Sequence, residues 1–204
     1  MLLRVASDIH MERFRYATVP ADIKWDQLAV PPRERDSEAV LVLAGDICEF
    51  GYAMFFASMW KELSKRFKAV VYIPGNHEYC GPTTPYGRKT FFYFKELFRK
   101  YGNIHLLDDK LLEVAGRKIY GTSLWSNYDN NPVAMTSCAM MYDFRYGLTD
   151  DGEQIRPPTP QDYVARYVEA RQTLEAVLGI CDDLVVVSHF APSRRSIHPR
   201  YAEY

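Results

Sequence analysis

Apolar and polar positions divide this chain into short runs and longer periodic segments. Four apolar runs have the length of a β-strand: residues 2–6, 39–44, 69–73 and 183–187. Residues 52–67 and 88–100 instead place bulky apolar side chains three or four positions apart, as on one face of a helix. Strands that alternate with helices predict an α/β fold with at least some parallel pairing.

The second half of the chain continues this alternation. Residues 104–107 are predicted to form a short strand, 111–114 and 118–120 a hairpin, and 121–125 the end of another strand. Strands 2–6 and 183–187 are expected to be buried, because their apolar runs are nearly continuous.

One helix has a clear start signal. Thr159 is a good cap, Pro160 suits the first helical position, and Asp162 places an acid in the first turn of a helix that reaches about Leu178. The remaining long segments are predicted to be loops that determine the substrate: residues 11–38, 79–87 and 126–158.

Composition and charge narrow the function classes. The 204 residues, 48% of them hydrophobic, can form one sizeable core, so a single domain is expected. A net charge of −1 without a basic stripe argues against a nuclease and against binding to anionic membranes. The N-terminus carries no secretory signal, and the four separated cysteines are expected to be reduced thiols, so a cytoplasmic location is predicted.

Polar side chains follow directly after the apolar runs. Six of them stand just past the ends of four predicted strands: Asp8, His10, Asp46, Asn76, His77 and His189. The carboxyl ends of neighbouring parallel strands gather at one edge of a sheet, so these groups are expected to converge. Carboxylate, imidazole and amide donors without a thiolate suit two divalent ions of manganese, iron or zinc.

These motifs carry a family resemblance. Asp8-Ile9-His10, Gly45-Asp46, Gly75-Asn76-His77-Glu78 and His189 stand in the order found in the calcineurin-like metallophosphoesterases, which the chain resembles over essentially its whole length. Residues 122–125 and 188–192 resemble a bacterial and phage-type branch of that family. The resemblance implies a sandwich of two mixed β-sheets flanked by helices, in αββα order.

The resemblance also implies roles for individual residues. Five would bind metal: Asp8 and His10 the first ion, Asn76 and His189 the second, and Asp46 both. A hydroxide between the ions would attack a phosphate mono- or diester. His77 would give a proton to the leaving oxygen or steady the charged transition state, and Glu49 would orient His77. Glu78 receives no role.

Two departures from the family pattern matter. Phe50 stands where protein Ser/Thr phosphatases have an arginine, which weakens a protein-phosphatase interpretation. The closing Gly-His-x-His motif is absent, so residues 1–204 are interpreted as one domain that lacks its C-terminal part, with weakened metal binding and an exposed sheet edge. The alternative function is a truncated, non-enzymatic protein that binds a metal or a partner.

Three arginines near the end of the chain are further candidates. Arg194, Arg195 and Arg200 could hold a substrate phosphate, or they could belong to a solvated tail. The expected substrate is a small-molecule or nucleotide phosphoester. The sequence leaves the oligomeric state, the metal and the choice between monoester and diester open.

Overall fold

The computed structural model describes residues 1–14, 23–80, 87–138 and 140–201. Its strands are β1 Leu2–Ala6, β2 Ala39–Ala44, β3 Ala69–Ile73, β4 Ile104–Leu106, β5 Lys110–Val114, β6 Arg117–Thr122, β7 Thr149–Asp150, β8 Ile155–Arg156 and β9 Leu184–Ser188. Its α-helices are α1 Trp25–Ala29, α2 Ala57–Arg66, α3 Arg88–Arg99, α4 Pro132–Cys138, α5 Tyr142–Tyr146 and α6 Pro160–Leu178.

The first sheet has the strand order β1-β2-β3-β4, and all three pairings are parallel. The central strands β2 and β3 are buried along their whole length, which explains their unbroken apolar runs. Strand β1 lies at the edge and is only half-buried, with Val5 68% exposed. The prediction that residues 2–6 form a strand is therefore confirmed, whereas its full burial is wrong.

The second sheet has the order β5-β6-β9 and is mixed. The predicted hairpin is present as the antiparallel pair β5 and β6, and β6 also includes residues assigned to a separate strand end. Strand β9 pairs in parallel with β6 at the other edge. It too is half-buried rather than buried, with Val186 38% exposed.

The two faces of the first sheet pack against different partners. Val42, Val71 and Ile73 belong to a core shared with Ile119 and Val185 of the second sheet. The opposite face packs on the helices in a larger aromatic core: Leu41, Leu43, Tyr72, Trp60, Phe50, Phe94 and Phe98. The predicted α/β sandwich of two sheets with flanking helices is thus confirmed.

Three segments differ from their predictions. Residues 52–67 are divided into a 3-10 helix, Phe50–Phe56, and helix α2, because glycine and aromatic residues are weak formers of an α-helix. A 3-10 helix has about three residues per turn, so Phe55 leaves the buried face and is 58% exposed. The predicted loops 11–38 and 126–158 contain short helices, and residues 81–86 of the third loop lie outside the described residues.

Helix α6 begins where its cap was predicted. The Thr159 hydroxyl accepts a bond from the Asp162 amide, and the Asp162 carboxylate accepts one from the Thr159 amide, which completes a capping box. Among the described residues, none of the helices combines the length and the apolar character needed to cross a bilayer.

Candidate metal centre and active site

The loops after β1 and β2 are tied together by backbone hydrogen bonds. Asp8 N donates to Gly45 O at 3.0 Å and His10 N to Asp46 O at 3.0 Å. Asp8, His10 and Asp46 have φ angles of 54°, 51° and 56°, the left-handed region that residues other than glycine rarely adopt. This costly backbone turns the three side chains towards one another, a kind of strain that is typical of functional sites.

Glu78 joins the ends of β2 and β3. Its buried carboxylate accepts hydrogen bonds from the amides of Asp46, Ile47 and Gly75 at 2.6–2.9 Å and from the Tyr72 hydroxyl at 2.7 Å. The residue without an assigned role in the sequence therefore holds the two strand-end loops in register.

Asp46 lies at the middle of the site. Its Oδ2 is 3.7 Å from Nε2 of His10, and the ligand atoms of Asp8, His10 and Asp46 all lie within 4.8 Å of one another. Its Oδ1 is 3.5 Å from Nε2 of His189 on the other side. The two oxygens of one carboxylate thus face two separate groups of potential ligands.

His189 reaches the site from β9 of the second sheet. Its Nδ1 lies 3.0 Å from Ala44 O, and because a carbonyl only accepts, Nδ1 carries the proton. Nε2 lies 3.1 Å from Oδ1 of Asn76. Gly45, with φ of +86°, gives the ring its room, since a Cβ there would overlap His189.

The side-chain amide of Asn76 is held from behind by Asp143. Nδ2 of Asn76 donates to Oδ1 of Asp143 at 2.6 Å, and Asp143 is 4% exposed. The amide oxygen therefore points towards Nε2 of His189, which itself lies 3.5 Å from Oδ1 of Asp46.

His77 lies beside this centre, with the centroid of its ring 4.5 Å from that of His10. Its backbone N–H donates to Asp46 Oδ1 at 2.9 Å, and its ring stacks on Tyr142 with centroids 5.0 Å apart. Nδ1 of His77 is buried without a hydrogen-bond partner among the described residues, 3.7 Å from Oε1 of Glu12. Burial, followed by the nearby His10, lowers the pKa of His77, which favours the neutral imidazole with a single N–H donor.

The donor set fits a divalent cation on each side of Asp46. Nδ1 of His10 donates to Oε1 of Glu12 at 3.0 Å, as Nδ1 of His189 does to Ala44, so each Nε2 presents a lone pair to the centre. At His189 that lone pair faces the oxygen of Asn76, an arrangement of two acceptors that a cation between them would stabilise.

The buried carboxylates around Asp46 also favour a bound cation. Burial, followed by the charge of Glu78, raises the pKa of Asp46 to about 8. Asp8, Glu12 and Asp143 add further carboxylates to the surroundings. Such a concentration of acids calls for a compensating positive charge.

The other predicted site residues lie further out. Glu49 is buried next to Cys48 and Cys80, and its role in orienting His77 stays a prediction. Arg194 forms an exposed ion pair with Asp129 at 2.6 Å. Arg195 and Arg200 are also exposed, so the proposed phosphate contacts of the three arginines stay predictions.

Sequence reasoning missed three residues at the site. Glu12 follows His10 by two positions in a segment assigned to a loop, and its buried Oε2 has no partner among the described residues. Tyr142 and Asp143 lie on α5, within the segment predicted to be loop-rich. The spacing of Glu12 from Asp8-x-His10 was a usable signal, whereas nothing local marks Tyr142 or Asp143.

The comparisons with known proteins show the family of the chain. The sequence profile described as calcineurin-like phosphoesterase matches residues 1–198, so the chain belongs to the calcineurin-like phosphoesterase family. This family implies divalent metal ions, and membership supports a phosphoesterase function.

Two individual proteins are similar to the chain. An uncharacterized protein of Acanthamoeba polyphaga mimivirus is 27% identical over 130 residues, which are 62% of this chain. The chain spans only 45% of the length of that protein. The crystal structure of the phosphopantetheinyl hydrolase of Mycobacterium tuberculosis matches with a TM-score of 0.64 and 19% identity over 95% of this chain and 70% of the other, which shows a shared fold.

Proposed function

We propose that the protein is a dinuclear, metal-dependent phosphoesterase that hydrolyses a phosphate mono- or diester. The observation that carries the proposal is the position of Asp46, with Oδ2 facing His10 and Oδ1 facing His189 at 3.7 Å and 3.5 Å. Asp8 and His10 would hold one divalent ion, Asn76 and His189 a second, and Asp46 both.

Each side chain has a separate task in this proposal. Two bound ions would supply a water acidic enough to attack phosphorus at neutral pH. His77 would donate a hydrogen bond from its ring N–H to the leaving oxygen and so steady the charge that develops there in the transition state, and its stack on Tyr142 fixes the direction of the ring. By accepting hydrogen bonds from Nδ1, Glu12 and the Ala44 carbonyl direct Nε2 of His10 and of His189 towards the proposed metal positions.

The test compares hydrolysis of p-nitrophenyl phosphate and bis(p-nitrophenyl) phosphate by the chelator-treated protein before and after addition of Mn²⁺, Fe²⁺ or Zn²⁺. Asp46→Asn is expected to lower activity more than about 100-fold and to lose bound metal, since the shared ligand is weakened. The matched control, Asp182→Asn, changes an exposed aspartate and should leave both unchanged.

His77→Ala separates the chemistry from metal binding. The loss of a positioned hydrogen-bond donor should lower kcat by about 10²–10³-fold while the metal content stays at the wild-type level. Activity that survives Asp46→Asn, or that persists after complete removal of metal, would contradict the proposal. A protein that binds no metal and hydrolyses neither ester would favour the non-enzymatic alternative.

A further inference from the structure

Helix α5 is fastened to the turn that carries the site although it is distant in sequence. The backbone of Gly147, which follows the helix, bridges that of Cys80, and the Gly147 amide donates to Asp143 O at 2.8 Å. Phe144 anchors the helix in the core through the ring of Tyr163, 4.7 Å away. The position of Asp143 is therefore fixed from both sides.

Asp143 meets Asn76 through a short, buried hydrogen bond. The distance from Nδ2 of Asn76 to Oδ1 of Asp143 is 2.6 Å, and the carboxylate is 4% exposed. An ionised carboxylate only accepts hydrogen bonds, so it binds the nitrogen end of the amide and rejects the oxygen end. The bond thereby selects one of the two orientations that the amide could adopt.

In the opposite orientation, the amide nitrogen of Asn76 would find a hydrogen-bond acceptor in His189. Oδ1 of Asn76 now lies 3.1 Å from Nε2 of His189, whose Nδ1 holds the proton. A rotation of the amide by about 180° would bring its N–H₂ to that lone pair and form an N–H···N bond. Such a bond would use the lone pair of His189 and turn the oxygen of Asn76 away.

We propose that Asp143 is a positioning residue that holds the oxygen of Asn76 towards the second metal position and prevents Asn76 from bonding to His189. This inference rests on the proposed function, in which Asn76 and His189 hold the same metal ion. Asp143 itself does not touch the substrate or the metal, and its effect is confined to the Asn76 side of Asp46.

The first test measures metal affinity. Calorimetric titration of the metal-free protein with Mn²⁺ should resolve two sites in the wild type. D143N should weaken one site by about 10–100-fold and leave the other unchanged, as expected for a group behind a ligand. D143N in an N76A background should add no further loss, and D182N should bind like the wild type. Equal weakening of both sites, or no weakening, would overturn the proposal.

If D143N is unstable, an exchange of the side chains at positions 76 and 143 provides a second test. N76D/D143N places the carboxylate at position 76 as the ligand and the amide behind it as the donor, which restores a hydrogen bond between the two positions with its direction reversed. The proposal predicts that the exchange recovers the second site relative to D143N. Failure to recover in a folded double variant would contradict it.

A metal-free readout separates this proposal from the proposed function. The Asn76 side-chain amide signal in a ¹H–¹⁵N spectrum, assigned by its loss in N76A, should shift in D143N when the charge-assisted bond is removed. An unshifted signal would overturn the role of Asp143 whatever the metals do. A shifted signal in a protein that binds none of Mn²⁺, Fe²⁺ and Zn²⁺ would support the orientation by Asp143 and would refute the phosphoesterase proposal instead.

Discussion

Glu78 uses both of its carboxylate oxygens to hold the site together. It accepts from three backbone amides and from the hydroxyl of Tyr72, and its exposure is 0%. Two of the amides belong to Asp46 and Gly75, so the central carboxylate of the site and the turn before His77 depend on the same side chain. Its role is structural support of the site.

Glu78→Gln tests that support. The amide of glutamine would direct N–H groups at backbone N–H donors and would lose the charge, so the free energy of unfolding should fall by about 3–5 kcal/mol. Urea denaturation measures the change. Glu96→Gln on the exposed face of α3 is the control and should cost less than about 0.5 kcal/mol. A cost below about 1 kcal/mol at Glu78 would contradict the account.

Glu12 has a parallel role on the other side of Asp46. Because it accepts from Nδ1 of His10 at 3.0 Å, Glu12→Gln should weaken the first metal site by about 10–100-fold. Mn²⁺ titration measures this loss, with exposed Glu38→Gln as the control. The metal affinity of Glu49→Gln is a useful comparison, because the family resemblance assigns to Glu49 the role of orienting His77. Unchanged metal binding in Glu12→Gln would rule out the role described for Glu12.

The strands explain why much of the site could be predicted. Parallel pairing of β1, β2 and β3 brings Asp8, Asp46 and Asn76 to one edge of the sheet, as their positions after apolar runs indicated. The place of each strand in its sheet could not be predicted. The run of β1 contains four apolar residues out of five, yet Val5 is 68% exposed, because strand order depends on pairing between distant segments.

A glycine in the turn after β2 and a glycine in the turn between β5 and β6 offer a matched pair of substitutions. Gly45 and Gly116 have φ of +86° and +71°, so replacement by alanine should cost about 1–2 kcal/mol at either position. At Gly45 the new methyl group also overlaps His189, which adds about 1–3 kcal/mol and should reduce metal binding. Thermal unfolding and metal titration measure both effects. Equal consequences at the two positions would contradict the close packing of His189 on Gly45.

The stabilisation that Asp162 provides at the start of α6 should depend on pH. The Arg156 side chain, bonded to Asp162 at 2.8 Å and 2.9 Å, lowers the pKa of that carboxyl. The stabilisation is therefore present above the ordinary aspartate pKa and is lost as the pH falls through the lowered value. Asp162→Ala should lower the free energy of unfolding by about 1–2 kcal/mol at pH 7.

Denaturation at several pH values checks the sign of that prediction. The difference between Asp162→Ala and the wild type should narrow as the pH falls below about 4. Asp182→Ala, an exposed residue, is the control and should differ little from the wild type at any pH. A difference that grows on acidification would be incompatible with the capping box and the ion pair.

Across the molecule, the residues that prediction missed come from distant or irregular segments. Asp143 lies 67 positions from Asn76, on a five-residue helix that no apolar period marks. Glu12 is placed by a 3-10 turn within a segment rich in polar residues and proline. Motifs indicated which residues are candidate metal ligands, but the groups that orient those candidates depend on tertiary packing. The predicted effects of the missing Gly-His-x-His motif on metal binding stay predictions.

Anomalous X-ray scattering from Mn²⁺-soaked crystals of this protein tests the central claim most directly. We expect two peaks about 3.5–4 Å apart, one between Asp8, His10 and Oδ2 of Asp46 and the other between Asn76, His189 and Oδ1 of Asp46. Asp46→Asn crystals should lose at least one peak. A single peak away from Asp46, or none at Mn²⁺ concentrations that support hydrolysis, would contradict the dinuclear centre.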